Sequence, residues 1–214
     1  MLALIQARSN SKRFKKKVLF NIYETPLIYH VIKKIKRSRH VTKIVVATSK
    51  GKSDDILVKY LRSIKISVYR GDLNNVALRL SKASKKYKKL FFIRISGDSP
   101  LIDHSVIDEA IKIFKKHKKY KVDLITNVFP RKFPKGQSVE IINNITLKNN
   151  IKNMNKNQKE HVTKFFYKHF KQFKIINFKP KNKLSNFKLS IDSKDDLKNI
   201  LKKYDKKKFE NFKL

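Results

Sequence analysis

Two spacings of apolar residues alternate along the chain. Short, nearly continuous apolar runs at 2–6, 43–47, 66–69, 90–95 and 122–126 are the pattern of strands buried on both faces of a sheet. Between them apolar residues recur at helical spacing. Leu27, Ile28, Val31, Ile32 and Ile35 follow Pro26, a residue suited to a first helical turn. Ile56, Leu57, Tyr60 and Leu61 follow Ser53, which reads as an N-cap with Asp54 and Asp55 in the first turn. Further helices are expected over 75–87 and about 103–116. Strand and helix alternating at this pitch predict right-handed βαβ units and a mostly parallel sheet with its ligand site at the strands' carboxyl ends.

Beyond Pro130 the regularity weakens. Strands are expected at 138–142, 174–178 and 187–191, the last two able to pair antiparallel, and a helix at 161–169. A final helix opens at the cap residue Ser193, with Asp195 and Asp196 complementing its dipole, and the residues after Tyr204 read as frayed. The 214 residues suit one α/β domain with a single core.

Composition changes this picture in two places. The chain has no cysteine, which excludes disulfides and thiolate metal sites. It has no long apolar stretch at the start of a signal-peptide kind and no run approaching the roughly 20 residues of a membrane span, so a cytoplasmic location without membrane insertion is expected. The formal charge of +38 invites a second reading, a basic module for polynucleotide or anionic membrane. The excess is mostly Lys, accompanied by many Asn, Ile and Phe, as AT-rich codons would produce. It is also scattered over the chain and forms no single stripe, so no polynucleotide partner is expected. The positive field still favours small anions such as nucleoside triphosphates.

Two predicted loops at strand ends carry candidate chemistry. ARSNSKRFKKK at 7–17 offers Arg8, Arg13 and Lys17 among small polar residues, groups that neutralise phosphate oxygens. It lacks the Gly-Lys-Ser/Thr of a Walker loop, and an ordinary basic surface loop is the alternative. SGDSP at 96–100 places Asp98 where a carboxylate can hold a hard divalent cation, although the same residues also compose turns. Asp192, just before the last helix, is either a structural cap or the partner of Asp98. The six histidines show no zinc spacing.

Taken in order, IQARSNSKRFKKKVL (5–19), PLIYHVIKKIKRS (26–38), IVVATS (44–49), VYRGDLNNVALR (68–79), RISGDSPLID (94–103), GQSVE (136–140), KEHVTKF (159–165) and LSIDSKDDL (189–197) resemble the cytidylyltransferase family. That family includes the acylneuraminate and ketodeoxyoctonate activating enzymes, and the likeness is closest to its spore-coat-polysaccharide branch. The resemblance implies a three-layer α/β/α sandwich of the nucleotide-diphospho-sugar transferase type, often dimeric, that transfers CMP from CTP to an acidic sugar with Mg2+ and releases pyrophosphate. On the matching positions, Ala7, Arg8, Asn10, Arg13, Lys17, Arg79 and Ser96 would bind the nucleotide, and Asp98 and Asp192 the metal. Arg8, Lys17 and Asp98 would act in catalysis, while Gln137, Glu140 and His161 would face the sugar.

The resemblance also implies a nucleotide-binding core at 1–128 and sugar-facing or dimerisation elements at 129–186. A closing strand and helix at 187–204 and a basic tail at 205–214 complete the division. Asn10 and Lys15-Lys16 replace the family's loop Gly and Pro-Gly. Asn74, Asn75 and Leu78 replace acidic residues near Arg79, and Ser138 replaces an aspartate. Two other readings stay open: the same fold with another nucleotide or a sugar phosphate, and a relative that binds CTP without turning it over.

Overall fold

The computed structural model describes residues 1–11, 13–117 and 121–214; Lys12, inside the basic loop, lies outside the described residues. In chain order the first half contains β1 (Leu2–Gln6), a small hairpin of β2 (Asn21–Ile22) and β3 (Thr25–Pro26), α1 (Leu27–Lys36), β4 (Lys43–Ser49), α2 (Asp55–Ser63), β5 (Ser67–Gly71), α3 (Val76–Lys86), β6 (Phe91–Ser96) and α4 (His104–His117). The second half adds β7 (Leu124–Thr126), β8 (Glu140–Asn143), α5 (Asn144–Asn150), α6 (Lys156–Glu160), α7 (Lys164–Lys168), β9 (Ile175–Asn177), α8 (Lys194–Lys203) and α9 (Lys206–Glu210).

Among the described residues the main sheet has seven strands in the order β5-β4-β1-β6-β8-β7-β9. The first four are mutually parallel, as their doubly buried apolar runs require. β8 runs against both β6 and β7, and β7 pairs parallel with β9. Gln6 is level with Ala47 on one side and Ser96 on the other; β1 and β6 end together there, and β4 runs on two residues to Ser49.

Alternate residues of the strands face two separate apolar layers. Ala3, Ile5, Val46 and Ile93 pack with Ile28 and Ile32 of α1, Ile107 and Ile111 of α4 and Ile200 of α8. Leu2, Leu4, Val45 and Phe92 pack on the other side with Ala77 and Leu80 of α3, Leu147 of α5 and Phe166 of α7. The strands and helices alternate as the spacing predicts, and the three-layer sandwich that the resemblance implies is built. No helix among the described residues is long and apolar enough to cross a membrane.

Four local expectations are corrected. Ser53 does not cap α2; it lies in a short 3-10 turn, Lys52–Asp54, and the helix begins at Asp55. The predicted helix at 161–169 is shortened to α7, because His161 closes α6, which is started by a capping box between Asn155 and Gln158. The predicted strand at 187–191 joins no ladder. It is held by Leu189 N–H on the Lys135 carbonyl (2.7 Å) and Ile191 N–H on the Asp98 carbonyl (2.9 Å), so its donors are spent on two different loops. Gly136, at φ +102°, makes room for that segment, since a Cβ there would lie 2.4 Å from the Leu189 carbonyl carbon. Ser193 does cap α8, with Asp196 completing a reciprocal box.

The tail is ordered structure and not a frayed end. Phe209 of α9 is fully buried and meets Tyr23 and His30 edge-on, with centroids 5.6 and 5.0 Å away. Lys34 donates to the carbonyls of Glu210 (3.1 Å) and Phe212 (2.9 Å), and Leu214 N–H reaches the Asp103 carboxylate at 2.7 Å. Phe209→Ala should therefore cost about 3 kcal/mol of stability in urea unfolding, the range for an emptied aromatic core site. A loss below about 1 kcal/mol would show that the tail is dispensable to the core.

Candidate active site

The chain leaves β1 at Gln6 and enters the basic loop at the carboxyl end of the sheet. The loop folds back on itself where Lys16 N–H bonds the Ser9 carbonyl at 2.8 Å. Lys16 takes the left-handed conformation (φ 55°, ψ 19°) at one of the positions where a glycine was expected. The glycine-like backbone is thus retained with a lysine, at a cost of about 1 kcal/mol. Phe14 and Val18, both buried, pin the loop to the core.

Its other anchor is Asp54, a fully buried carboxylate that accepts from Ser9 N–H (2.6 Å), Ser49 N–H (3.0 Å) and the Ser49 hydroxyl (2.5 Å). Burial alone would raise this carboxyl. The Ser49 hydroxyl and the Ser9 N–H more than offset that and hold it below the usual carboxylate range. Asp54, read from sequence as a residue of a helical first turn, ties the basic loop to the end of β4. Across the cleft, Gly97 N–H bonds the Gln6 carbonyl at 2.9 Å. A Cβ on Gly97 would lie 2.8 Å from the Ala7 Cβ, so a glycine lets the loops after β1 and β6 touch.

That contact brings distant charges together. Lys17, buried at the base of the loop, places its ammonium 2.9 Å from Asp98 Oδ2, 2.9 Å from the Ile191 carbonyl and 3.3 Å from Asp192 Oδ1. Arg13 approaches Asp192 at 3.4 Å from the solvent side. Lys188 bridges Asp192 (2.8 Å) and Asp196 (2.7 Å). Burial pushes the Asp192 carboxyl up, but hydrogen bonding to Lys188 and the charge of Lys17 outweigh it and hold the group ionised below its ordinary range.

These groups open on a cleft of about 560 Å³ that is also lined by Gln6, Ala7, Arg8, Arg79, Ser96, Glu160 and His161. Arg8 pairs with Glu160 across it at 2.6 Å. Arg79 is buried in the wall, and burial lowers its guanidinium to about 10 despite Asp54 nearby. Its Nη1 donates to the Asp72 carbonyl at 2.6 Å, and its Nε finds no hydrogen-bond partner among the described residues. Where acidic residues were expected, Asn74 lines the cleft and Asn75 caps α3 by accepting from Leu78 N–H. His161 is on the exposed rim, where partial burial and then Lys164 pull its imidazole down.

Three predicted residues lie apart from the cleft lining. Asn10 is exposed on the loop. Gln137 is fully buried and spends its amide on Asp103 N–H (2.8 Å) and the Leu101 carbonyl (2.6 Å). Glu140 is buried in an ion pair with Arg94 and accepts from Tyr167 Oη at 2.6 Å, while burial and then Glu140 itself push the Tyr167 phenol well up. Arg94 in turn donates to Gln6 Oε1 at 2.8 Å, so Glu140 connects to the cleft through two other side chains. Sequence reading missed Gln6, Arg94, Glu160 and Lys188, and no local pattern sets Lys188 apart from the many other lysines. A larger cavity, about 780 Å³, lies between 131–135 and 179–188, but its lining has no carboxylate; the groups able to do chemistry converge in the smaller one.

Asp54→Asn should destabilise the protein by about 2 kcal/mol at neutral pH, the worth of hydrogen bonds to a buried charge. Because the folded carboxyl is held below its unfolded value of about 3.9, its contribution is full above that value and is lost as pH falls through the lower one. Urea unfolding of both proteins should therefore show the difference shrinking below about pH 4; a pH-independent difference would remove the charge from the explanation.

Residues 2–213 match the family model described as cytidylyltransferase. The spore coat polysaccharide biosynthesis protein SpsF of Bacillus subtilis is 27% identical over 215 residues, spanning 96% of this chain and 87% of that protein. The 3-deoxy-manno-octulosonate cytidylyltransferase of Geobacter sulfurreducens is 32% identical over 111 residues, 51% of this chain and 43% of that enzyme. A solved cytidylyltransferase structure from Leptospira borgpetersenii superposes with a TM-score of 0.87 at 26% identity, covering 95% of this chain and 87% of the other. The match runs from the first strand to the last residues of the tail, over a sandwich of the nucleotide-diphospho-sugar transferase type with a cationic loop and two aspartates at its carboxyl end. The chain belongs to the cytidylyltransferase family and is a CTP-dependent nucleotidyltransferase.

Proposed function

We propose that the cleft takes CTP and an acidic sugar, joins CMP to the sugar and releases pyrophosphate. The observation that carries this reading is the meeting of Lys17 from the basic loop with Asp98, in the loop after β6, and Asp192, just before α8, at the carboxyl end of the sheet. Arg8, Arg13 and Lys17 supply the donors and positive charge that a triphosphate needs, in a cleft whose polar floor is fixed by Gly97 and Asp54. A sugar hydroxyl oxygen forms a bond to the α-phosphorus and gives up its proton to solvent, the bond from that phosphorus to the bridging oxygen breaks, and pyrophosphate departs. The cations of the loop offset the charge that grows on the leaving oxygens.

Asp98 and Asp192 converge on one point with hard carboxylate oxygens, a donor set that fits a divalent cation such as Mg2+ completed by phosphate oxygens. When bound there, the cation would polarise the phosphate and lower the barrier to displacement. Among the described residues no group of three or more His, Asp or Glu could hold a metal without the nucleotide's help. His161, whose imidazole is pulled down by burial and then by Lys164, and Lys156 border the outer cleft, where Lys156 supplies charge complementary to a sugar carboxylate. The 3-deoxy-manno-octulosonate and spore coat polysaccharide relatives support an ulosonic-type acid used for a polysaccharide; a nonulosonic acid of the same type, a cell-surface destination and activation in the cytoplasm belong to the proposal.

Pyrophosphate release, measured with each of four nucleoside triphosphates and Mg2+ against ulosonic acids and neutral sugars, should occur with CTP and an acidic sugar. Release with UTP or GTP and a neutral sugar phosphate would replace this reading with another reaction of the same fold. Asp98→Asn should lower turnover by at least about 10²-fold, consistent with the several kcal/mol a metal ion contributes, while changing CTP affinity far less. Unchanged turnover would remove Asp98 from the chemistry.

A further inference from the structure

We propose that Lys17 is a built-in stand-in for the divalent cation: its ammonium holds the cation position between Asp98 and Asp192 until CTP arrives, so that the metal site exists only in the nucleotide complex. This rests on the reading of the two aspartates as a cation-binding pair. An ammonium has three N–H donors, and all three directions of Lys17 are taken by oxygens that a hard cation would also choose: Asp98 Oδ2, Asp192 Oδ1 and the Ile191 carbonyl. The residue is only 8% exposed, so this is a fixed position and not one pose of a surface side chain.

Charge counting leads to the same place. Lys17, Arg13 and Lys188 contact Asp98, Asp192 and Asp196, three cations to three carboxylates. The free cluster is neutral and offers an incoming divalent ion no net attraction, while the ion would have to displace an ammonium already bonded to both ligands. A triphosphate reverses the balance by bringing several negative charges into the cleft beside the loop. Lys17, whose ammonium rides on a flexible four-carbon stem, can then transfer its donors from the carboxylates to phosphate oxygens and leave the aspartates to the metal. The order is nucleotide first, or nucleotide and metal together. It also explains how two carboxylates stay close together in the free enzyme without mutual repulsion.

The test measures Mn2+ binding from the loss of the free-ion electron paramagnetic resonance signal, in enzyme without nucleotide. Wild type should bind Mn2+ weakly, and Lys17→Met at least tenfold more tightly, with Mn2+ raising the melting temperature of the variant and not of wild type. Lys17→Gln, which keeps a polar side chain against folding losses, should shift in the same direction, and adding Asp98→Asn to either variant should abolish the gain. If neither variant gains affinity while Mn2+ in the wild-type CTP complex still depends on Asp98, the stand-in role is wrong and the carboxylate pair survives. If Mn2+ in the CTP complex is indifferent to Asp98→Asn, the carboxylate reading fails and the stand-in role falls with it.

Discussion

Two carboxylates brought together at the end of a sheet must be compensated, and the ammonium of Lys17 touches both of them here. Asp98 lies in the loop just after a central strand and Asp192 precedes the last long helix, and neither has the other as a sequence neighbour. Lys17 contacts both, and the carbonyl of Ile191 as well. The ionised Asp192 depends on that ammonium and on Lys188. In a low-dielectric wall such a cluster is tolerable only when every charge is matched and the geometry is held fixed.

The scaffold supplies that fixity through backbone constraints. β1 and β6 end level, so the loops that leave them start from one plane, and β4 continues two residues farther to Ser49. Gly97 lets two of those loops touch, Asp54 fastens the first of them to β4, and the left-handed Lys16 turns the chain so that Lys17 points back into the core. The extended segment before Asp192 is bonded to the Lys135 and Asp98 carbonyls, which places the second carboxylate opposite the first. The tail helix packs behind, against His30 and Tyr23, and closes the layer on which α1 rests.

The parallel core was legible because strands buried on both faces leave continuous apolar runs, and helices covering them leave a 3.6-residue stripe. Strand order was not, since nothing local marks β8 as the reversed strand. The segment 187–191 has the apolar alternation of a strand, but its hydrogen bonds go to loops, a tertiary fact invisible in its own residues. Asp54 looked like a helix-opening aspartate because its true partners, Ser9 and Ser49, lie on other elements. The resemblance in the ordered motifs located Arg8, Arg13, Lys17, Arg79, Asp98 and Asp192 about one cleft. Of the residues that the resemblance assigns to the sugar, Gln137 spends its amide on backbone and Glu140 pairs with Arg94. Lys188 and Glu160 matter through contacts that only folding creates.

The central claim is that Asp98 and Asp192 form the cation pair of a CTP site whose cation position Lys17 fills in the free enzyme. The most direct measurement is anomalous scattering from Mn2+ in crystals of the CTP complex, compared with crystals holding Mn2+ alone. A peak within coordination distance of both carboxylates, seen only when CTP is bound and with Lys17 turned toward the phosphates, is the expected result. A peak on the aspartates without CTP would contradict the role given to Lys17, and a peak away from both aspartates with CTP bound would contradict the site itself.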